Sequence, residues 1–154
     1  MRPETADIRS SELRNLFEYW HRKRGVHLAP PRAAIMPSEM RALLPRVFIV
    51  EVVGSPPRFR FRLAGTLIVD RFGEEITGRF LDELDLDKRN REIVDDYRRV
   101  VETHEPVCSR WRYTKHDGTM LSYERLLLPL SSDGGLVDMI LGGAAEEPLG
   151  SPAD

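Results

Sequence analysis

Three strand-like segments follow one another across residues 107–143, and they leave this chain few folds to choose from. VCSRWRYTK meets a tight HDGT turn, MLSYERLLLPL comes next, and an SSDGG turn leads into LVDMILGG. Asp-Gly between two strand patterns is the strongest short-range hairpin signal, so the run reads as antiparallel.

Upstream, residues 47–53 (VFIVEVV) form a short β-branched strand, and residues 54–57 make a turn. Phe59, Phe61 and Leu63 then alternate with Arg58, Arg60 and Arg62, the pattern of a strand apolar on one face and cationic on the other. Residues 65–78 read as helical turns broken by glycines, and residues 80–86 hold another short turn. Asp87 can cap a longer helix over residues 88–103, with Ile93, Val94, Tyr97, Val100 and Val101 on one stripe. The order is helix, two strands, short helices, a long helix and three strands. It predicts an α+β fold, an antiparallel sheet with helices on one face.

At the N-terminus, residues 9–24 read as an amphipathic helix with Leu13, Leu16, Phe17 and Trp20 at i, i+3, i+4 and i+7. Ser10 or Asp7 can cap its start, and Gly25 can end it. A Pro-rich connector, VHLAPPRAAIMP, follows. Residues 1–8 and 146–154 read as polar, frayed ends.

At 154 residues the chain reads as one domain, long enough for a core without disulfides or metal. A net charge of −2 argues against general nucleic-acid binding, which needs a basic surface. Cys108 is the only cysteine, and the charged N-terminus is unlike a signal peptide. No run approaches the ~18 apolar residues of a membrane span, so we read the protein as cytoplasmic.

The chain resembles a PAS domain across residues 40–145. FRFRLAGT leading into a Gly-punctuated region, TGRFLDEL before the long helix, and KHDGT with GGLVDMILGG carry the resemblance. The Trp20 helix, Pro-rich linker and ALLPRVFIVEV are similar to a subgroup of small bacterial PAS proteins. The resemblance implies a five-stranded antiparallel sheet with helices on one face, here with an added N-terminal amphipathic helix. It divides the chain into residues 1–39 (helix and connector), 40–145 (the PAS-like domain) and 146–154 (a disordered tail).

The resemblance also implies a cavity between sheet and helices. Alternation and family layout together give Phe61, Leu63, Phe72, Tyr97, Trp111, Tyr123 and Arg125 as ligand-lining residues. Which cofactor or ligand is bound stays unknown. The region 77–90 lacks the reactive cysteine of the light-sensing flavin type, and Cys108 falls on a strand. His104, at the end of the long helix, does not match a haem ligand, and it is expected to point to solvent.

Other motifs read as structural. Arg58, Arg60 and Arg62 are expected on a solvated face, and HRKR as a capped helix end. Asp82, Glu83, Asp85 and Asp87 lack the glycine and closing glutamate of a calcium loop. The four histidines show no metal-ligand spacing, and His116-Asp117-Gly118 reads as a turn. Trp111 and Tyr113 share one strand face, as do Tyr123 and Arg125 on the next.

The stripe Leu13, Leu16, Phe17 and Trp20 must be buried, either on the sheet or against a second copy; we expect a homodimer through it. The leading functional expectation is a non-enzymatic sensory or regulatory domain that binds a small molecule and signals to a downstream protein. A ligand-free adaptor is the alternative. A small α+β enzyme ranks last: its only acid candidates, Glu51, Asp70 and Glu124, are expected on exposed faces.

Overall fold

The computed structural model describes residues 7–84, 90–114 and 117–148. Five strands form one antiparallel sheet: β1 (Val47–Val53), β2 (Arg58–Ala64), β3 (Val107–Thr114), β4 (Met120–Leu130) and β5 (Met139–Pro148), in the order β2-β1-β5-β4-β3. The helices are α1 (Ser11–Arg24), α2 (Thr66–Phe72) and α3 (Asn90–Thr103), with a 3-10 turn at Leu81–Glu83. The expected helix start at Lys88, and the residues Asp85, Asp87 and His116, lie outside the described residues.

Strand alternation gives the sheet two apolar faces, and both are covered. On the inner face, Phe48, Val50, Phe59, Phe61, Leu127 and Ile140 pack with Ile68 of α2 and with Ile93, Tyr97 and Val100 of α3. On the outer face, Val47, Ile49, Leu126, Leu128 and Leu141 pack with Leu13, Leu16, Phe17 and Trp20 of α1. The stripe expected to meet a second copy is therefore buried on the chain's own sheet; Trp20 retains 1% exposure. Folding back gives these side chains apolar neighbours on the chain's own sheet.

Both ends of α1 are latched to β4. Ser10 caps the helix by accepting the Leu13 N–H at 3.2 Å. Its own N–H and that of Arg9 donate to the Glu124 carboxylate, at 2.8 and 2.9 Å. At the far end the Trp20 indole N–H donates to the Pro129 carbonyl at 2.8 Å.

Two further boundaries differ from the sequence reading. Ile8, in the segment read as frayed, is fully buried in the outer cluster. β5 continues its ladder with β4 as far as Pro148, opposite Leu121, so the sheet takes up residues 146–148.

A bulge in β2 alters which residues face inward. Ile49 pairs with Leu63 and Val50 with Phe61, so Arg62 has no partner in the ladder. An extra residue on one strand reverses the alternation beyond it. Leu63 therefore packs with the outer cluster, and Ala64 with the inner one.

In β5, Gly142 and Gly143 serve opposite faces. A Cβ at Gly142 would overlap the Phe48 ring inside, and one at Gly143 would lie 2.7 and 2.8 Å from the δ-carbons of Leu16 and Leu13 outside. The missing side chains let the aromatic layer and α1 approach the backbone from either side.

Candidate functional site

The polar part of the inner face is built by β3 and β4. Arg125 opposes Ser109, and Tyr123 opposes Trp111, in the antiparallel register. Arg125 is 5% exposed, and a charge so far from water has to be paired. Its Nη2 donates to Oδ2 of Asp96 on α3 at 2.9 Å, and the Ser109 hydroxyl donates to the same oxygen. The guanidinium also lies 4.9 Å from the Trp111 ring centre and 5.6 Å from that of Tyr97. Its Nε–H is buried and has no acceptor, a deficit on the order of 1–3 kcal/mol for an ordinary donor.

Among the cavities bordered by described residues, two lie beside the inner core. One of about 290 Å³ lies between α3 and β3, with Ile93, Asp96, Ser109, Trp111 and Arg125 in its wall. The other, about 530 Å³, lies between α2 and the β4–β5 side, bounded by Arg46, Ile68, Arg71, Tyr123, Ala144 and Glu146. Arg71 stacks on Tyr123 at 4.0 Å and lies 3.6 Å from Glu146. Burial raises the pKa of both Tyr97 and Tyr123, with Arg125 opposing the shift in each case and Arg71 opposing it at Tyr123.

The residues expected to line one cavity thus separate. Trp111 and Arg125 border the smaller cavity and Tyr123 the larger. Phe61, Phe72 and Tyr97 belong to one ring cluster of the inner core. Phe48–Phe61, Phe59–Tyr97 and Phe61–Phe72 centroids are 5.7, 5.3 and 6.4 Å apart. Leu63 is on the opposite face because of the bulge. The side chain of Tyr113 lies outside the described part.

The acid candidates do not come together. Glu51 is partly buried and pairs with Arg60, Asp70 borders the larger cavity, and Glu124 lies beneath α1. Glu124 was expected to be exposed and is 4% exposed, because α1 roofs the face to which it alternates. Arg110 approaches it at 3.2 Å and the Cys108 thiol at 3.7 Å. Burial, and then the Glu124 charge, push the Cys108 pKa up to about 12. The paired arginines of β2 face acids as well: Arg58 makes a fork of two 2.8 Å hydrogen bonds to Asp82, over the Phe80 ring. The His104 Nε2, expected toward solvent, is 2.7 Å from the Gly135 carbonyl in the β4–β5 turn.

A family model described as a PAS domain matches residues 8–145. The chain belongs to the PAS domain family. The match begins ahead of α1, so the helix and connector assigned to residues 1–39 fall largely within it. No curated protein matches the chain. Among solved structures, a light-oxygen-voltage domain studied with a flavin analogue is 19% identical, with 71% of this chain and 84% of that one covered and a TM-score of 0.51. The Rhodobacter sphaeroides LOV protein is 20% identical, with 75% and 67% covered and a TM-score of 0.48. The light-state structure of the blue-light photoreceptor Aureochrome1 LOV is 17% identical, with 73% and 89% covered and a TM-score of 0.49. At these identities the likeness is one of fold.

The inner face of this PAS domain does not suit a light-reactive flavin. The rings of Phe48, Phe59, Phe61 and Tyr97 pack together in the inner core. Cys108, the sole cysteine, belongs to the outer cluster, across the sheet from that core.

Proposed function

We propose that this PAS domain is a non-enzymatic sensor that takes a small molecule against the inner face of its sheet and relays the change to α1 through β4. One observation carries the reading. Tyr123, Glu124 and Arg125 are consecutive: the outer two border the cavities, and the middle one holds the start of α1. A ligand that tilts β4 alters the geometry of the Glu124 latch. To shift the population of latched and released α1, it must bind one state more tightly than the other. Release of α1 bares Leu126, Leu128 and Leu141 for a downstream protein or a second copy. A cytoplasmic setting belongs to the same reading.

The packed ring cluster favours a second reading, an adaptor that works without a ligand. Native mass spectrometry with an absorption spectrum of the same sample, joined to hydrogen exchange of α1, separates the two. A mass lost on denaturation, whose return slows or speeds exchange in residues 11–24, supports the sensor. Bare protein whose α1 exchange responds to no added compound, but does respond to a partner protein, supports the adaptor.

A further inference from the structure

Two arginines from different elements line the larger cavity. Arg46 closes the 3-10 turn Leu44–Arg46 ahead of β1, and Arg71 lies near the end of α2. Each guanidinium approaches a carboxylate of the chain at 3.6 Å: Arg46 that of Glu12, and Arg71 that of Glu146. This distance makes an ion pair, but it is longer than a hydrogen bond. Both arginine side chains are 28% exposed, and the carboxylates are more open still. Such pairs, within reach of water, are worth about 1 kcal/mol or less, so an incoming anion can replace their acidic partner. Glu12 and Glu146 then turn to water, and each arginine faces one carboxylate as before. Most of the remaining wall is apolar. Ile68 and Ala144 are buried, Leu67 is half-exposed, and the Tyr123 ring lies under Arg71. Asp70, the other acid of the wall, is exposed.

We propose that Arg46 and Arg71 bind the carboxylate of a small molecule with an apolar body in the larger cavity, and that this ligand draws Arg46 away from Glu12. The guanidinium fork matches a carboxylate edge to edge. Leu67, Ile68 and Ala144 take the hydrocarbon part, and about 530 Å³ is room for it. The proposal rests on the sensory reading, names the chemical class sensed and gives it a second route to α1. Glu12 lies in the first turn of that helix, two residues from the Ser10 that Glu124 holds. Exchange at Arg46 therefore loosens the same end of α1.

The test titrates the full chain with hexanoate, hexanamide and hexylamine, which share one chain length and differ in charge, and with acetate, which lacks the chain. Binding is followed by amide chemical shifts of Leu67, Ile68 and Ala144. Hexanoate is expected to bind at least about tenfold more tightly than each of the other three, ~1.4 kcal/mol, and to weaken as salt is added. Arg46→Gln is expected to weaken hexanoate about tenfold. Glu12→Gln, which removes the competing carboxylate, is expected to tighten it about threefold. Saturating hexanoate is expected to speed amide exchange in residues 11–24 of the wild type. The ligand-side comparison and Glu12→Gln stand even if Arg46→Gln folds poorly. Equal or tighter binding of hexanamide, hexylamine or acetate overturns the assignment and leaves the sensor intact. Hexanoate that binds without being tightened by Glu12→Gln, or without a change in α1 exchange, overturns the exchange at Arg46. Binding by none of the four overturns the assignment as well; a mass lost on denaturation in the native spectrum then keeps the sensory reading, and bare protein removes it too.

Discussion

The Glu124 carboxylate accepts the Ser10 backbone N–H at 2.8 Å, across 114 residues of chain. Glu124→Ala leaves the buried Ser10 N–H and the partly buried Arg9 N–H without their acceptor, and takes away the carboxylate that the Arg110 guanidinium approaches. We expect a loss of about 3 kcal/mol in urea unfolding, with faster amide exchange in residues 11–24 than in β1. Glu124→Gln, which keeps one acceptor oxygen, is expected to fall between. Uniform acceleration across the sheet would show that Glu124 stabilises the core and does not specifically hold α1.

Trp20→Ala empties the largest buried position of α1 and orphans the Pro129 carbonyl. A loss of about 3–5 kcal/mol is expected, as for large core truncations. Because the indole is buried within the chain, its removal is expected to destabilise without dissolving any assembly. Sedimentation of the wild type and of Trp20→Phe checks this: a change of mass in the conservative variant would return the helix to an interface.

Alanine at Gly142 is expected to cost about 1–3 kcal/mol by overpacking the Phe48 ring. Phe48→Leu in the same chain should recover part of that, a coupling readable in a double-mutant cycle. Gly143→Ala meets the ends of two leucines, which can move, so its effect is expected to be smaller and to appear as loosened α1.

Alkaline pH should weaken the fold. The folded Cys108 thiol keeps its proton to about 12, above its ordinary value of 9.0. The unfolded thiol releases it earlier, so the stability this group supports is intact below its ordinary value and falls as pH rises toward the folded one. The slope is ~1.4 kcal/mol per pH unit in that window. Buried Tyr97 and Tyr123, whose pKa values are also raised, act in the same sense from higher pH. Urea midpoints across this range in the wild type and Cys108→Ala decide the share: the variant's decline should be shallower.

Much of the fold was legible because its signals are local. The β1 run and the β4 run are found at the positions their composition predicts, and the α3 stripe of Ile93, Tyr97 and Val100 faces the core. The pairing of Tyr123 with Arg125 on one face followed from alternation alone. Leu63 did not, because a bulge is a property of two strands in register, and nothing in RFRFRLA marks Arg62 as the residue without a partner. Glu124 was misplaced for a related reason. Alternation correctly put it opposite Tyr123, but whether that opposite face is wet depends on a helix more than a hundred residues away. That Trp111 and Arg125 border one cavity and Tyr123 another was likewise invisible, since it depends on how the helices meet the sheet in three dimensions.

The alternation of β4 also limits how it can move. A slip of one residue would turn Tyr123 and Arg125 toward α1 and drive the Glu124 carboxylate into the aromatic layer. Sliding is therefore closed to this strand as a mode of motion. What remains is bending and twisting in place, and over so short a path, from one residue to the next, a change of a few degrees is enough to be felt on the far side.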